Sequence, residues 1–578
     1  MPPLDAWSLP ELLRLQAQRL GDRRFLMLLD EQEQRTPVSF AGLAEQAAAF
    51  AAGLRRAGVR TGDRVLLMLP TGAPFLAALF GTLTLGAVAV PLYPPFQLRG
   101  IGPYLERLGR IVAAVDARVF VVDSAFKLLV HAGLGASCPP VFTPDCLAAT
   151  PEEAVPVDPD APAVIQFSSG TTGPQKGVVL SHRQILANCR AIAARLDLRE
   201  GLRGVSWLPL YHDMGLIGSL FIPLLVGLEG TLFSPRNFLL EPAMWLRLAS
   251  EQRAEILMGP NFAYALLMRR VRPEQCADLD LSCVRILLNG AEPVLPGTLR
   301  RFEAHFAGTG LRPGAMLGVY GLAEMALGVT MPEAGGGTCV DRIDAARLGC
   351  SGEALPDDGP EALELAGLGR PLDGYEVQVR DAAGLALPER REGRIAVRGP
   401  SRMLQYWQSP ELTAQTLADG WCATGDLGYL ADGVLYVTGR ESEVIIRAGR
   451  NFHPHELELA AESVPGVRGG SAVAFGVPDA ERGTERVIVA FETRRAPDAH
   501  VRLAHAVQLA VQAATGLAPD LAIALEPNTL PKTTSGKKQR RQARDAYVAG
   551  RLGRASTPLE TVRIVAGHHL AAWRRPEP

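Results

Sequence analysis

Lysine is almost missing from this chain. Of 59 basic side chains only five are lysine: Lys127, Lys176, Lys532, Lys537 and Lys538. Arginine fills the other basic positions, so a lysine that persists points to a place needing a compact ammonium rather than a planar guanidinium fork. Four of the five lie in two glycine-containing loops. The eight cysteines form no Cys-x-x-Cys pair and keep no zinc-type spacing with the ten histidines. That excludes a zinc ribbon or disulfide scaffold and predicts reduced, mostly buried thiols in a cytoplasmic protein. His453 and His455 lie near a predicted helix start without a third ligand, and are read as structural. A surplus of charge is absent too, at a net −2, and nothing points to nucleic-acid binding. The N-terminal Met1-Pro-Pro-Leu-Asp-Ala-Trp7 lacks the basic-then-apolar order of a signal peptide. No charge occurs between Arg64 and Arg99, but Gly81, Gly86, Pro91, Pro94 and Pro95 interrupt that run. A membrane span needs about 20 apolar residues in one helix. The sequence predicts instead a buried helix over 74–85 and an interior strand over 87–92.

What is present centres on Phe167-Ser-Ser-Gly-Thr-Thr-Gly-Pro-Gln-Lys-Gly177. Three glycines, four hydroxyls and a lysine in eleven residues let the backbone curl closely and turn its donors on one anion. The flanking runs read as strands, and no Gly-Lys-Ser/Thr follows, so this is not a Walker loop. Alone, such a stretch also reads as a hairpin without a ligand. Along the chain, helices with clear start signals, such as Ser8-Leu-Pro-Glu11, alternate with aliphatic strands. At 578 residues several domains are expected. The predicted class is α/β: two α/β subdomains with parallel-rich sheets, then, from Tyr375, short strands of a small β-barrel-like subdomain. A boundary follows the Asp432-Gly433 hairpin, near Gly439-Arg440. Beyond it lies a compact α+β segment.

Five motifs in order join these parts: Ser168-Ser-Gly-Thr-Thr-Gly173 with Lys176-Gly177, Tyr320-Gly-Leu-Ala-Glu324, Thr424-Gly-Asp426, Gly439-Arg440 and Pro531-Lys-Thr-Thr-Ser-Gly-Lys537. Together they resemble the adenylate-forming superfamily of acyl-CoA synthetases, luciferases and peptide-synthetase adenylation domains. Four further stretches are similar to its fatty acyl-AMP ligases: Pro91-Leu-Tyr-Pro-Pro95, Trp207-Leu-Pro-Leu-Tyr-His-Asp-Met-Gly-Leu216, Gly259-Pro-Asn-Phe-Ala-Tyr264 and Asn289-Gly-Ala-Glu-Pro-Val294. The resemblance implies a large adenylation domain over 1–439 with an insertion at about 333–367, a hinge at 440–442, a mobile lid domain over 443–546 and an Arg-rich tail over 547–578.

It also implies the chemistry. A carboxylate is already ionised at neutral pH, so the barrier to its attack on the α-phosphate of ATP is the approach of one anion to another. Catalysis is then positioning and charge stabilisation. By resemblance, Ser168, Ser169, Gly170, Thr171, Thr172, Gly173 and Lys176 hold the phosphates. Gly290, Ala291, Glu292, Tyr320 and Gly321 lie along the nucleotide, and Asp426 takes the ribose with Arg440 beside it. Glu324 and Thr171 bind Mg²⁺, and Lys537 bridges the acyl carboxylate and α-phosphate. Lys537, Glu324 and His212 form the catalytic set. His212, Asp213, Met214 and Phe262 line the acyl site, with Leu220 and Phe221 as further candidates; His212 and Asp213 also read as a buried hydrogen-bonded pair. Pro174 and Gln175 stand in the reverse of the family's usual order, and Ser442 replaces its usual hinge residue.

The implied activity consumes ATP and a fatty acid, forms acyl-AMP, and passes the acyl group to the phosphopantetheine thiol of a separate acyl carrier protein. In this family the insertion is thought to restrain the lid rotation that yields acyl-CoA. It also reads as a tolerated surface loop, and a medium- or long-chain acyl-CoA synthetase is the alternative. A nucleotide-binding pseudoenzyme is disfavoured by the retention of Lys537 and Glu324.

Overall fold

Aliphatic strands without polar alternation need cover on both faces, and two seven-stranded sheets supply the frame for it. The computed structural model describes residues 5–95, 101–135, 138–152, 156–167, 176–447, 450–479, 484–532 and 537–553. In one sheet Arg64–Met68, Val88–Pro91, Val119–Val122, Val141–Phe142 and Pro162–Phe167 run parallel. Gly177–Ser181 and Gln405–Tyr406 extend it antiparallel. In the other, Arg24–Leu29, Arg203–Ser206, Glu229–Phe233, Ile256–Gly259, Ile286–Asn289 and Met316–Gly318 are parallel, with Arg35–Ser39 as an antiparallel edge.

The charge-free run forms the helix Ala73–Thr84 and the strand Val88–Pro91, both buried in the frame. Glycine is required within that helix, because a β-carbon on Gly81 would lie 2.7 Å from the Phe50 Cβ. No helix among the described residues is long and apolar enough to cross a membrane.

A five-stranded antiparallel sheet forms the small β subdomain. Its long strand Trp421–Ala431 turns at Asp432-Gly433 into Val434–Arg440. Both turn residues have positive φ, 51° and 71°, the geometry that makes Asp-Gly a strong hairpin signal. The insertion is structured. Strands Val340–Ile343 and Leu363–Ala366 pair antiparallel and flank the helix Ala345–Ser351. Its Ile343, Leu348, Ala354 and Leu365 share one apolar cluster with Tyr429, Ala431 and Tyr436 of the β subdomain. Asp341 Oδ2 adds a hydrogen bond from the Tyr429 hydroxyl at 2.8 Å and an ion pair with Arg390 at 3.0 Å.

Beyond Arg440, strands Val467–Asp479, Thr484–Thr493 and Leu521–Leu525 form a sheet covered by helices Pro454–Glu462, Pro497–Thr515 and Arg540–Val548. The last helix corrects the expected boundary at 546. It runs to Val548, and the Tyr547 ring packs on Phe475 with centroids 5.8 Å apart. The arginines around this helix, which made it read as the start of a tail, share it with the apolar face that docks.

Candidate functional site

The ends of the two large sheets, the β subdomain and the C-terminal domain enclose a cavity of about 2450 Å³. A ligand pocket usually measures several hundred to a thousand Å³. This one therefore has room for a nucleotide and a long apolar chain together.

Lys176 lies at the start of the strand Gly177–Ser181, with its Nζ 5.1 Å from the centre of the Tyr406 ring. The other expected phosphate-loop residues, Ser168, Ser169, Gly170, Thr171, Thr172 and Gly173, lie outside the described residues, and with them Thr171 as a metal ligand. The Tyr406 hydroxyl donates to Glu324 Oε1 at 2.5 Å. Burial and the Glu324 carboxylate push that phenol's pKa well up, so it stays a donor. Glu324 sits in a 3-10 turn, Ala323–Met325, that ends in a γ-turn: Ala326 has φ 66° and ψ −65°, and Leu327 N–H donates to the Met325 carbonyl. That conformation is strained for alanine. Its neighbours hold it, for Met403 N–H donates to the Glu324 carbonyl at 2.7 Å and Ser401 Oγ to the Met325 carbonyl at 2.8 Å. Sequence reasoning missed Tyr406. It follows no spacing rule, and its partner is 82 residues away.

Tyr320 and Gly321 begin just past the parallel strand Met316–Gly318. A β-carbon on Gly321 would lie 1.7 Å from the Leu327 carbonyl oxygen, so the strand can turn here only as glycine. The Tyr320 hydroxyl donates to Asp426 Oδ2 at 2.7 Å, and Arg440 Nε pairs with Asp426 Oδ1 at 3.0 Å. Asp426 and Arg440 face each other in register across the hairpin. The nearby Asp426 is the largest influence keeping the Arg440 guanidinium charged. Both carboxylate oxygens are thus held at fixed angles, and the remaining lone pairs are open to further donors.

Gly290, Ala291 and Glu292 follow the C-terminal end of the strand Ile286–Asn289. Loops at the carboxyl ends of parallel strands are where open α/β sheets bind ligands. Ala291 has φ 66°, a second non-glycine residue in the left-handed region at this site. Glu292 is part-buried, and desolvation raises its pKa. Its Oε1 accepts the Phe262 backbone N–H.

His212 Nδ1 lies 2.5 Å from Asp213 Oδ1, so the two are a bonded pair. A helical stretch with the wider π spacing, Met214–Phe221, follows; such stretches often mark functional sites. Gly215 permits the entry turn, since a β-carbon there would meet the Pro209 carbonyl at 2.1 Å. Met214, Gly218, Ser219 and Ile222 face the cavity, opposite Met258 and Phe262. Leu220 and Phe221 do not. They are buried in the core, Phe221 edge-on to Phe80 at 6.0 Å, so both expected wall residues belong to packing instead. The π spacing shifts which side chains face inward, a shift a 3.6-residue period does not anticipate.

Lys537 brings these groups together. It is part-buried in the cavity wall, and desolvation lowers its pKa, while Asp213, Glu292 and Asp426 act to keep it charged. For Asp213, burial opposes ionisation, but His212 and Lys537 outweigh it and hold the carboxyl at about 2. One ammonium from the C-terminal domain thus lines the same cavity as Asp213, Glu292 and Asp426 and feels the charge of all three. No group of three or more potential metal ligands occurs among the described residues.

The sequence model described as AMP-binding enzyme matches residues 13–407, well over half of the chain. A Caulobacter vibrioides protein provisionally named an acyl-CoA synthetase is 35% identical over 525 residues, 89% of this chain and 91% of that protein. A Moorena producens protein, the medium-chain-fatty-acid–[acyl-carrier-protein] ligase JamA, is 32% identical, covering 94% of this chain and 96% of its own. A structure from a study of fatty acyl-adenylate ligases of E. coli and L. pneumophila superposes with a TM-score of 0.88 at 31% identity, over 95% of this chain and all of that one. Shared architecture across both domains, joined to a lysine delivered from the second domain into a nucleotide-sized cleft of the first, identifies the chain as a member of the AMP-binding enzyme family and an AMP-forming, acid-activating ligase of its fatty acyl-AMP branch.

Proposed function

We propose that the chain joins a fatty acid to ATP, forming acyl-AMP and pyrophosphate, and then delivers the acyl group to the phosphopantetheine thiol of a separate acyl carrier protein in the cytoplasm. The convergence of Lys537, Asp213, Glu292 and Asp426 on the wall of one cavity carries this reading. In the first step the fatty carboxylate oxygen forms a bond to the α-phosphorus, and the bond from that phosphorus to the β-bridging oxygen breaks as pyrophosphate leaves. Lys537 supplies positive charge between the two approaching anions. Asp426 receives the ribose hydroxyls and Tyr320 flanks the base. The 168–173 loop and Lys176 receive the outgoing phosphates.

Glu324 offers carboxylate oxygens to Mg²⁺, a hard cation commonly held by one or two carboxylates together with substrate phosphates. When bound, that ion neutralises phosphate charge. In the second step the thiolate sulfur attacks the acyl carbon and AMP departs. The insertion supports a carrier thiol over CoA as acceptor. Its helix Ala345–Ser351 packs on the strand Arg450–Phe452 of the lid, and a β-carbon on Gly349 would lie 3.0 Å from the Asn451 carbonyl oxygen. That contact restrains rotation of the lid.

A second reading, an acyl-CoA synthetase, is favoured by the name of the Caulobacter relative. Incubation with ATP, Mg²⁺ and a panel of fatty acids, with and without CoA, separates the two by mass spectrometry. Acyl-AMP with little acyl-CoA is expected, and abundant acyl-CoA would replace this reading with the second.

A further inference from the structure

The lid and the β subdomain meet at a buried ion pair. His453 precedes the lid helix Pro454–Glu462, and its Nε2 donates to Glu392 Oε1 at 3.0 Å. Both side chains are nearly sealed from solvent, at 4% and 6% exposure. Burial alone would discourage charge on His453, but Glu392 outweighs it and lifts the imidazole above its usual range. Glu456, part-buried, adds a second carboxylate near the ring. The pair touches the hinge directly. Thr438 Oγ1, two residues before Arg440, donates to the same Glu392 oxygen. A β-carbon on Gly439 would lie 2.6 Å from His453 Nδ1, so a larger residue before the hinge would displace the ring.

Glu392 is in turn seated by the insertion. Its backbone N–H donates at 2.8 Å to the carbonyl of Gly352, the residue that caps the insertion helix Ala345–Ser351. That same helix packs on Arg450–Phe452, immediately before His453. A continuous path therefore runs from the insertion through Glu392 to the first residues of the lid. Rotation about the hinge would move His453 away from Glu392 and leave that buried carboxylate without its cation, a costly exchange.

We infer that Glu392 and His453 are a positioning pair, a latch through which the insertion holds the lid in the orientation that delivers Lys537. This rests on the proposed adenylate-forming reading for its consequence, but not for its geometry. Neither residue lies among the groups proposed to hold substrate, so each acts through Lys537.

The test uses the full chain, with Glu392→Gln as the shape-conserving variant and Glu392→Gln/His453→Gln as the double variant. Three readouts are taken: hydrogen exchange of amides over 450–462, ATP–pyrophosphate exchange, and conversion of added preformed acyl-AMP to acyl-CoA. In Glu392→Gln, faster amide exchange over 450–462, a loss of about tenfold or more in pyrophosphate exchange, and undiminished or increased acyl-CoA formation are expected. The double variant should be no worse than the single one, because the two losses are one interaction. Unchanged amide exchange overturns the latch. So does an equal fall in both half-reactions, which marks a merely structural pair. If the wild-type chain forms no adenylate at all, the proposed function fails while the exchange comparison still decides the latch.

Discussion

At the scale of single residues, Lys537 and Tyr406 make separable claims. Lys537→Ala removes the charge between two anions and should slow adenylate formation by a factor of about 10²–10³ while nucleotide binding is retained. Pyrophosphate exchange and a fluorescent-nucleotide titration check the two halves. Lys537→Arg should rescue little, since the fork cannot take the place of a point charge at this angle. Tyr406→Phe removes the donor that fixes Glu324 and should slow the same step about tenfold. It should also raise the Mg²⁺ concentration needed for half-maximal rate, a shift that Lys537→Ala lacks. Lys537 was legible in the sequence because lysine is so rare here and because its motif stands last in an ordered set. Tyr406 was not, for its worth comes from where a short edge strand, Gln405–Tyr406, pairs with Val178 and Val179. Leu220 and Phe221 misled for a related reason: they are apolar and adjacent to the right motif, but the local helix spacing turns them into the core.

Among the elements, the insertion helix and the first helix carry predictions of different kinds. Gly349→Val places a branched side chain against the Asn451 carbonyl and should push the helix off the lid. Acyl-CoA formation should rise while the melting temperature moves little, because the apolar cluster of Ile343, Leu348 and Leu365 is untouched. The helix Leu9–Leu20 depends on His182, whose Nδ1 accepts the Leu9 N–H at 3.3 Å. Burial holds the His182 pKa down, from about 6.5 to about 4. As pH falls below the ordinary value, the unfolded chain takes up the proton first. His182's share of stability is therefore complete above about pH 6.5 and is lost progressively down to about 4, amounting to about 3 kcal/mol. Urea midpoints at pH 7.5 and 5 test this, and His182→Asn should flatten the difference. At this scale the sequence was most readable where periodicity is strong, as in Ala73–Thr84 and the Asp432-Gly433 hairpin. The ordered strands and helix of the insertion were not foreseen, because their cores are completed by Tyr429 and Tyr436, which lie far along the chain.

For the whole molecule, the Glu392–His453 pair, the insertion helix on Arg450–Phe452 and Lys537 in the shared cavity tie the two domains together. A non-hydrolysable acyl-adenylate mimic at about 100 times its dissociation constant should stabilise the fold by about 2.7 kcal/mol. Calorimetry should then show the lid and the large domain melting closer together than in the free protein. The register of the hairpin from Trp421 to Arg440 has a further consequence. Asp426 and Arg440 are cross-strand partners, and Arg440 is also the first residue of the expected hinge. A single residue inserted anywhere between them on the strands would turn one of the two to the opposite face of the sheet. Chain length between 426 and 440 is therefore as tightly bound to function as side-chain identity: this stretch can drift in sequence over time, but it cannot grow or shrink.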